Sequence, residues 1–272
     1  MYNTIDVDID FTKYYNKMCK VVKDKWMIPE VNEKHLYLWH KNEPVLSMHF
    51  AQDLSHIHYK KLKLNGIRRP SEYCFLSLRY KGGDDTALEN KLFFESGRIK
   101  VDKKYNSFIG TFVIDVSDYL EIPNHSALDK LIDYVISMED DTKFIFIVNT
   151  HDKSTAERLY RRLNSGIKRI EKVYIEQLEI CQYTSYAIAL LHRKGIKTNK
   201  SIEKIIVNGM NRAFKSKWFA GFDSVSDYID DLMYVFHGVV ELHEITDTHF
   251  QEAMEEIGAD DEVYVKSKIG FQ

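Results

Sequence analysis

The first candidate for chemistry is the segment HLYLWHKNEPVLSMHF, residues 35–50. Its apolar start, 35–39, predicts a strand, residues 40–44 predict a polar loop, and the apolar spacing that follows predicts a helix. Strand, loop and helix in this order outline a phosphate-binding loop, in which backbone N–H groups at a helix N-terminus bind the anion. Such a loop needs glycine, because its backbone angles exclude most side chains. The segment contains no glycine, so it has the predicted strand, loop and helix of a phosphate-binding loop without the residues that such a loop needs.

Two more candidates lie at the ends of predicted strands. Asp115 lies near the end of FIGTFVIDV, residues 108–116, and Asn149 ends KFIFIVN, residues 143–149. Both runs are rich in β-branched and aromatic residues, as buried strands of a parallel sheet are. We expect the two strands to be neighbours in one sheet, with Asp115 and Asn149 at the same edge. The side chains expected to be buried are Phe112, Val113, Ile114, Ile145, Ile147 and Val148.

Two clusters of basic residues could contact a partner, although charge runs are more often solvated helix ends and loops. The first cluster comprises Lys60, Lys61, Lys63, Arg68 and Arg69. The second cluster comprises Arg158, Arg161, Arg162, Lys168, Arg169 and Lys172.

Alternating strands and helices must position these residues. Apolar patterns predict strands at 35–39, 73–78, 108–116, 143–149 and 172–175. Helices lie between them, and the capping-box spacing of Ser154 and Glu157 predicts that one begins at Ser154. This alternation implies a parallel sheet with helices on both faces. Strands then stop, and helical patterns follow at 176–194, 201–214, 223–237 and 247–257.

These patterns predict an organisation in two domains. We expect a helical extension at 1–33, an α/β domain at 34–175, a small all-helical domain at 176–258 and a tail at 259–272. The 38 Lys and Arg residues against 41 Asp and Glu residues give a net charge of −3, so no overall field attracts nucleic acid or an anionic membrane. Three distant cysteines predict reduced thiols rather than disulfides. With no apolar run of about 18 residues and no signal-peptide pattern, we expect a cytoplasmic protein without membrane contact.

The order of these features resembles the AAA+ ATPases. In that family a strand of apolar residues ends in an aspartate that holds Mg²⁺, as Phe112 to Asp115 would, and the next strand ends in a polar sensor residue, as at Asn149. A helical lid domain follows. The resemblance implies a P-loop-NTPase-like, three-layer parallel α/β core followed by a small all-helical lid.

Within the AAA+ ATPases, three stretches of the sequence resemble the CbxX/CbbX-like group, which includes red-type rubisco activases. Residues 115–120 are similar to the segment that follows its magnesium-binding strand. Residues 164–169 are similar to the stretch before its arginine finger, and residues 245–250 are similar to its terminal motif.

The sequence departs from the family at nearly every position that binds phosphate. The phosphate-binding motif falls on residues 40–47, where His40 and Val45 replace its glycines and Leu46 replaces its lysine. Glu43 adds a negative charge where a triphosphate would bind. Ser47 keeps the hydroxyl that would hold Mg²⁺.

Other parts of the family's catalytic site are also missing. Val116 replaces the glutamate after Asp115, and residues 222–226 contain no sensor arginine. The resemblance therefore implies a relic nucleotide site made of Ser47, Asp115 and Asn149. We expect no catalytic residue, no ATP hydrolysis, no metal site and no required cofactor, with weak binding of ATP and Mg²⁺ at most.

These departures favour a catalytically inactive AAA+-like subunit that acts through assembly. The expected partner is an active AAA+ ATPase, or further subunits of a homo- or hetero-oligomer. The family's arginine finger lies between the sensor strand and the lid, where this chain is basic. The residues expected to dock on a partner are therefore Arg161, Arg162, Lys168 and Arg169.

Alternative interpretations stay open at the level of sequence. The basic clusters would suit a DNA-associated AAA+-like adaptor of the clamp-loader or mobile-element type. Asp115 and Asp118 could be a metal pair of an unrelated α/β enzyme, although an aspartate at a strand end commonly caps the next turn. His49, His56 and His58 could bind zinc, but His56 and His58 would point to different sides of a helix, so surface histidines are favoured.

Overall fold

The computed structural model describes residues 35–68, 70–77, 109–120, 126–138, 142–216, 219–237 and 246–258. The predicted N-terminal extension at 1–33 and the tail at 259–272 lie outside the described residues, as does Arg69. Within the described residues the chain divides into two compact units, and the division falls between Glu176 and Gln177. The first unit contains strands and helices, and the second contains helices.

The first unit is built around one parallel sheet. The described strands are β1 His35–His40, β2 Tyr73–Ser77, β3 Thr111–Asp115, β4 Lys143–Asn149 and β5 Ile170–Ile175. Their order across the sheet is β2-β3-β4-β1-β5, and each neighbouring pair is parallel. The strand β1 is thus central, with β4 on one side and β5 on the other.

Helices cover both faces of this sheet, which gives a three-layer α/β core. They are α1 Pro44–Leu64, α2 Ser126–Ile136 and α3 Lys153–Gly166, with a short 3-10 helix at Ser117–Leu120. The helix α1 contacts β1, β2, β3 and β4. The helices α2 and α3 contact each other and form a separate apolar cluster with the alternate strand residues, among them Tyr37, Phe112 and Phe144.

The core of the unit is apolar and rich in stacked aromatic rings. The six strand residues expected to be buried are buried in β3 and β4, and these two strands are paired, so this prediction is confirmed. The rings of Phe112 and Phe144 stack with centroids 5.5 Å apart. The buried hydroxyl of Tyr37 donates a hydrogen bond to the carbonyl oxygen of Ala156 at 2.7 Å, which ties α3 to the sheet.

Three local predictions need correction. The helix α3 begins at Lys153, because Asp152 is its N-cap and its carboxylate accepts hydrogen bonds from the N–H groups of Ser154 at 2.9 Å and Thr155 at 3.2 Å. Ser154 is therefore inside the helix. The strand β5 begins at Ile170, two positions before the predicted start, because it continues along β1 as far as His35.

The third correction concerns His58, which was expected at the surface. It is buried, and its Nδ1 is 3.1 Å from the Thr111 hydroxyl at the start of β3. The nearby His35, at the start of β1, is also buried and its Nδ1 accepts a hydrogen bond from the N–H of Phe144 at 3.2 Å. Burial, with a smaller effect of Lys143, lowers the pKa of His35 to about 4.

The second unit is a bundle of helices. They are α4 Ile180–Arg193, α5 Lys200–Lys215, α6 Phe222–His237 and α7 Asp247–Gly258. The ring of Tyr183 packs against Phe219 and Phe222 with centroids 5.0 Å and 5.4 Å away. The Asn199 side chain caps α5 and also donates to Asp247 at the start of α7 at 2.8 Å. The described helices include none that combines the length and the apolar character needed to span a bilayer.

The buried histidines predict a loss of stability in acid. Burial, together with Lys143 and Lys61, lowers the pKa of His58 to about 3, so the unfolded chain binds protons below about pH 6.5 that the folded chain does not. The free energy of unfolding should therefore fall as the pH drops below 6.5. Each such histidine contributes up to about 1.4 kcal/mol per pH unit.

Denaturant unfolding between about pH 7 and pH 5 measures this loss. His58→Gln should make the slope smaller by nearly one proton. Equal slopes for the wild type and His58→Gln would contradict a neutral His58 in the folded protein.

Candidate functional site

The ends of β1, β3 and β4 meet at one edge of the sheet. His40 pairs in register with Asn149, and Asp115 pairs with Ile147. Asp115 and Asn149 therefore lie at the same edge, as predicted, and the connection from β1 to α1 starts beside them. In open α/β sheets, ligands bind outside the carboxyl ends of the strands, so this edge is the candidate site.

The connection between β1 and α1 is shorter than the sequence pattern predicted. The strand extends through His40 and the helix begins at Pro44, so only residues 41–43, the β1–α1 loop, join them. The helix has therefore already begun at Val45, where the phosphate-binding motif has its second glycine. Asn42 adopts a left-handed conformation with φ of +50°, which asparagine tolerates better than most residues. So short a connection leaves few backbone groups to surround a phosphate.

Side chains of the same chain accept hydrogen bonds from two backbone N–H groups of this loop. The Asn42 N–H donates to Oδ1 of Asn149 at 2.9 Å, and the Glu43 N–H donates to Nδ1 of His40 at 3.0 Å. Pro44 has no N–H to offer. The Ser47 N–H donates to the Glu43 carbonyl within the first helical turn at 3.0 Å. Three N–H groups that would face phosphate in a nucleotide-binding loop, those of Asn42, Glu43 and Ser47, thus already have acceptors.

The side chains at the motif positions are buried. Val45 and Leu46, at the positions of the second glycine and the lysine, belong to the hydrophobic core. The Ser47 hydroxyl is buried and makes no hydrogen bond with a described residue. Glu43 is fully buried at the start of α1, where the positive end of the helix dipole favours a carboxyl group. A carboxyl group at this place competes with an anionic phosphate.

His40 is a neutral hydrogen-bond acceptor. Only 2% of it is exposed, and this burial lowers its pKa to about 3. Because Nδ1 accepts from the Glu43 N–H, the ring proton is on Nε2. The side chain therefore stabilises the turn at the end of β1 and does not provide positive charge for an anion.

Asp115 and Asn149, the predicted relics of a nucleotide site, are linked through Ser117. The Ser117 N–H and hydroxyl both donate to Oδ1 of Asp115, at 3.0 Å and 2.6 Å. The Asn149 N–H donates to the Ser117 hydroxyl oxygen at 2.9 Å. Asp115 thus caps the turn that follows β3, as the simpler interpretation of the sequence predicted.

The arrangement does not favour the metal-dependent alternative. Asp118 is exposed on the 3-10 helix that follows. No group of three or more His, Cys, Asp or Glu side chains within the described ranges is placed to hold a metal ion. Among these described residues, His49, His56 and His58 belong to no such group, and the His56 ring contacts the Glu72 carboxylate.

The basic residues predicted to dock on a partner lie on α3 and in the turn before β5. Arg162 forms an ion pair with Asp129 of α2, whereas Arg161 and Lys168 are exposed. Arg169 has a left-handed backbone with φ of +65°, and its carbonyl oxygen accepts from the His35 N–H at 3.0 Å. Lys168 and Arg169 are therefore at the amino end of the sheet, opposite the edge that holds Asp115.

The sequence did not indicate that Asn42, His40 and Ser117 belong to the hydrogen-bond network at this edge of the sheet, which also contains Glu43, Asp115 and Asn149. The residue type of Asn42 was one indication of its place in the turn, since asparagine is enriched in turns and tolerates left-handed backbone angles. Nothing local indicated its partner, because Asn149 is 107 positions further along the chain.

Comparison with solved structures shows that the protein has the fold of the AAA+ ATPases. Domain III of the replication initiation protein DnaA of Thermotoga maritima is similar at a TM-score of 0.54 and 13% identity, over 90% of this chain and 91% of that one. Thermotoga maritima RuvB is similar at 0.58 and 11%, over 95% and 73%. The ORC2 protein of Aeropyrum pernix is similar at 0.61 and 9%, over 94% and 69%.

Sequence comparison adds no closer relative. No protein-family model matches the chain, and no curated protein has significant sequence similarity to it. At the identities of the solved structures the similarity establishes the fold alone, so the activity has to be argued from the site.

The capping role of Asp115 predicts how its replacement behaves. Asp115→Ala removes the acceptor of two Ser117 donors and should lower the free energy of unfolding by about 1 kcal/mol. Asp118→Ala, at an exposed neighbouring carboxylate, should change it by less than about 0.5 kcal/mol. Thermal unfolding with and without Mg²⁺ should give the same midpoint for the wild type. A midpoint that rises with Mg²⁺ in the wild type and not in Asp115→Ala would show a metal site.

Proposed function

We propose that the protein is an AAA+-like subunit that does not hydrolyse ATP and acts through assembly with another protein, by preference an active AAA+ ATPase. The observation that carries this proposal is the β1–α1 loop, whose N–H groups at Asn42 and Glu43 are bound by side chains of the same chain. The fold of the ATPases is present, while these two N–H groups, which would face phosphate, are engaged within the chain.

The remaining positions of the site support the absence of hydrolysis. Leu46 is buried and offers no positive charge to a phosphate. The buried Val116 offers no carboxylate to activate a water molecule. A triphosphate would also have to approach the carboxyl group of Glu43. Within the AAA+ ATPases, the sequence similarities at 115–120 and 164–169 support a place near the CbxX/CbbX-like group.

The proposed contact surface is the basic face of α3 with the turn that follows it. A basic side chain from one AAA+ subunit can stabilise the charge that develops at a neighbour's nucleotide. All four basic residues of this surface are exposed, and of them Arg162 is also paired with Asp129. Arg161 and Lys168 are therefore the residues chosen for the test below. Arg169 belongs to the same surface, and its backbone also supports β1.

The first prediction from this proposal concerns ATP. Calorimetry with Mg-ATP should detect no binding tighter than a Kd of about 1 mM, because the donors, the lysine and the glycines of a phosphate site are missing. Hydrolysis by the purified protein should equal that of an Asp115→Ala sample prepared in parallel. A micromolar Kd, together with hydrolysis that is lost in Asp115→Ala, would contradict the proposal.

The second prediction concerns the partner. Co-purification should recover an ATPase with an intact phosphate-binding loop, and the double variant Arg161→Glu, Lys168→Glu should weaken the complex about tenfold or more, a loss of about 1.4 kcal/mol. The matched control is Lys197→Glu, Lys200→Glu, which reverses two exposed charges in the helical unit and should leave the affinity unchanged.

Two results would argue against this surface. If the complex and its ATPase rate survive charge reversal at Arg161, Arg162, Lys168 and Arg169 together, the surface is solvated charge only. If the protein instead binds DNA with an affinity that falls steeply with salt, as contacts to phosphates require, the adaptor interpretation replaces the assembly interpretation.

A further inference from the structure

The β1–α1 loop is bound from two sides by acceptors of the same chain. On one side the amide oxygen of Asn149, at the end of β4, accepts from the Asn42 N–H at 2.9 Å. On the other side Nδ1 of His40, at the end of β1, accepts from the Glu43 N–H at 3.0 Å. Successive N–H groups of a loop at a helix N-terminus are the donors that bind phosphate oxygens in nucleotide sites. Here two side-chain atoms hold the corresponding positions.

The acceptor of Asn149 is itself fixed in place. Its own N–H donates to the Ser117 hydroxyl oxygen at 2.9 Å, and that hydroxyl donates to Asp115 at 2.6 Å. The backbone of Thr150, the next residue, donates to the carbonyl oxygen of His40 at 3.1 Å. Hydrogen bonds on both sides of Asn149 therefore connect it to β3 and to β1, which fixes the place of its amide oxygen although the residue is exposed.

A purely local role does not account for the Asn149 side chain. Asparagine at a strand end commonly accepts a hydrogen bond from a backbone N–H two or three residues further on, which is what Asp115 does for Ser117. Asn149 accepts instead from Asn42, 107 positions away. The contact holds the left-handed conformation of Asn42, with φ of +50°, which has little to stabilise it within the loop itself.

His40 fixes the other half of the loop. The side chain is almost fully buried. It fills space at the end of β1 that a glycine would leave open to an anion. As a neutral ring it accepts the Glu43 N–H and brings no charge. The two acceptors thus bind adjacent N–H groups, at Asn42 and Glu43, as two oxygens of one phosphate group would.

We propose that Asn149 and His40 are positioning residues that take the place of phosphate oxygens, so that the β1–α1 loop keeps one conformation without any nucleotide. This inference rests on the proposed function and adds that the conformation of the loop does not depend on a bound nucleotide. A subunit built in this way presents the same strand edge whether or not ATP is present. Its assembly with a partner is then independent of its own nucleotide state.

The test is residue-resolved amide hydrogen exchange on the full-length protein. Asn149→Ala should speed exchange at the Asn42 N–H about tenfold or more and leave Glu43 protected. His40→Leu should speed exchange at the Glu43 N–H about tenfold or more and leave Asn42 protected. Asn149→Asp retains an acceptor oxygen and should keep the protection of Asn42. The matched control is Asn164→Ala, at an exposed position on α3, which should change neither amide.

Several outcomes would overturn the inference. Equal exchange at Asn42 in the wild type and in Asn149→Ala means that the Asn149 side chain does not hold the loop. Loss of protection in Asn149→Asp equal to that in Asn149→Ala means that the acceptor atom is not what matters. Slower exchange at Asn42 and Glu43 when Mg-ATP or pyrophosphate is added to the wild type means that these donors were open to an anion.

The design also separates this inference from the proposed function. If Mg-ATP binds with a micromolar Kd and is hydrolysed in an Asp115-dependent way while exchange at both amides stays the same, the proposed function fails and the inference stands. If Mg-ATP does not bind and Asn149→Ala leaves the Asn42 amide protected, only the inference fails. Should Asn149→Ala not fold, His40→Leu with its readout at Glu43 decides, against the same Asn164→Ala control.

Discussion

The register of β1 between β4 and β5 is the constraint on which the rest of the first unit depends. The strand is buried from His35 to His40, with Tyr37 in the cluster under α2 and α3. A shift by one residue would exchange the two faces of the strand and move Tyr37 away from Ala156. Packing on both faces therefore fixes the register. The same register places His40 opposite Asn149, which brings the Asn149 amide within reach of the β1–α1 loop.

The fold and the chemistry of this edge have separate physical requirements. The fold needs apolar side chains that alternate between two faces, and the described strands provide them. The chemistry needs unoccupied N–H groups, a cation and space beside the strand ends. Here the N–H groups are bound, Leu46 is apolar and His40 occupies the space. A core of this fold can thus form without those groups at its edge, which is why similarity of fold carries no activity with it.

Which features could be predicted from the sequence depends on how far apart along the chain the interacting residues are. Strand β4, 143–149, and the helices of the second unit were predictable because burial on one or more faces leaves a local periodicity. The capping residue of α3 could not be predicted in this way, since the side chains of both Asp152 and Ser154 can cap a helix and the backbone conformation decides between them. The position of His58 on α1 was missed because its partner, Thr111 at the start of β3, is 53 positions further along the chain. The network of the strand edge was missed for the same reason, as its bonds join residues that only the tertiary fold brings together.

The buried positions after Pro44 also limit how this sequence can change. A phosphate-binding motif at this place would need glycine at positions 40 and 45 and lysine at 46 together. Glycine at 40 alone removes the acceptor of the Glu43 N–H, and lysine at 46 alone buries a cation in an apolar environment. Each single step lowers stability and gains no ligand, so the substitutions are strongly epistatic. A phosphate-binding loop is thereby hard to reach from this sequence by one substitution at a time.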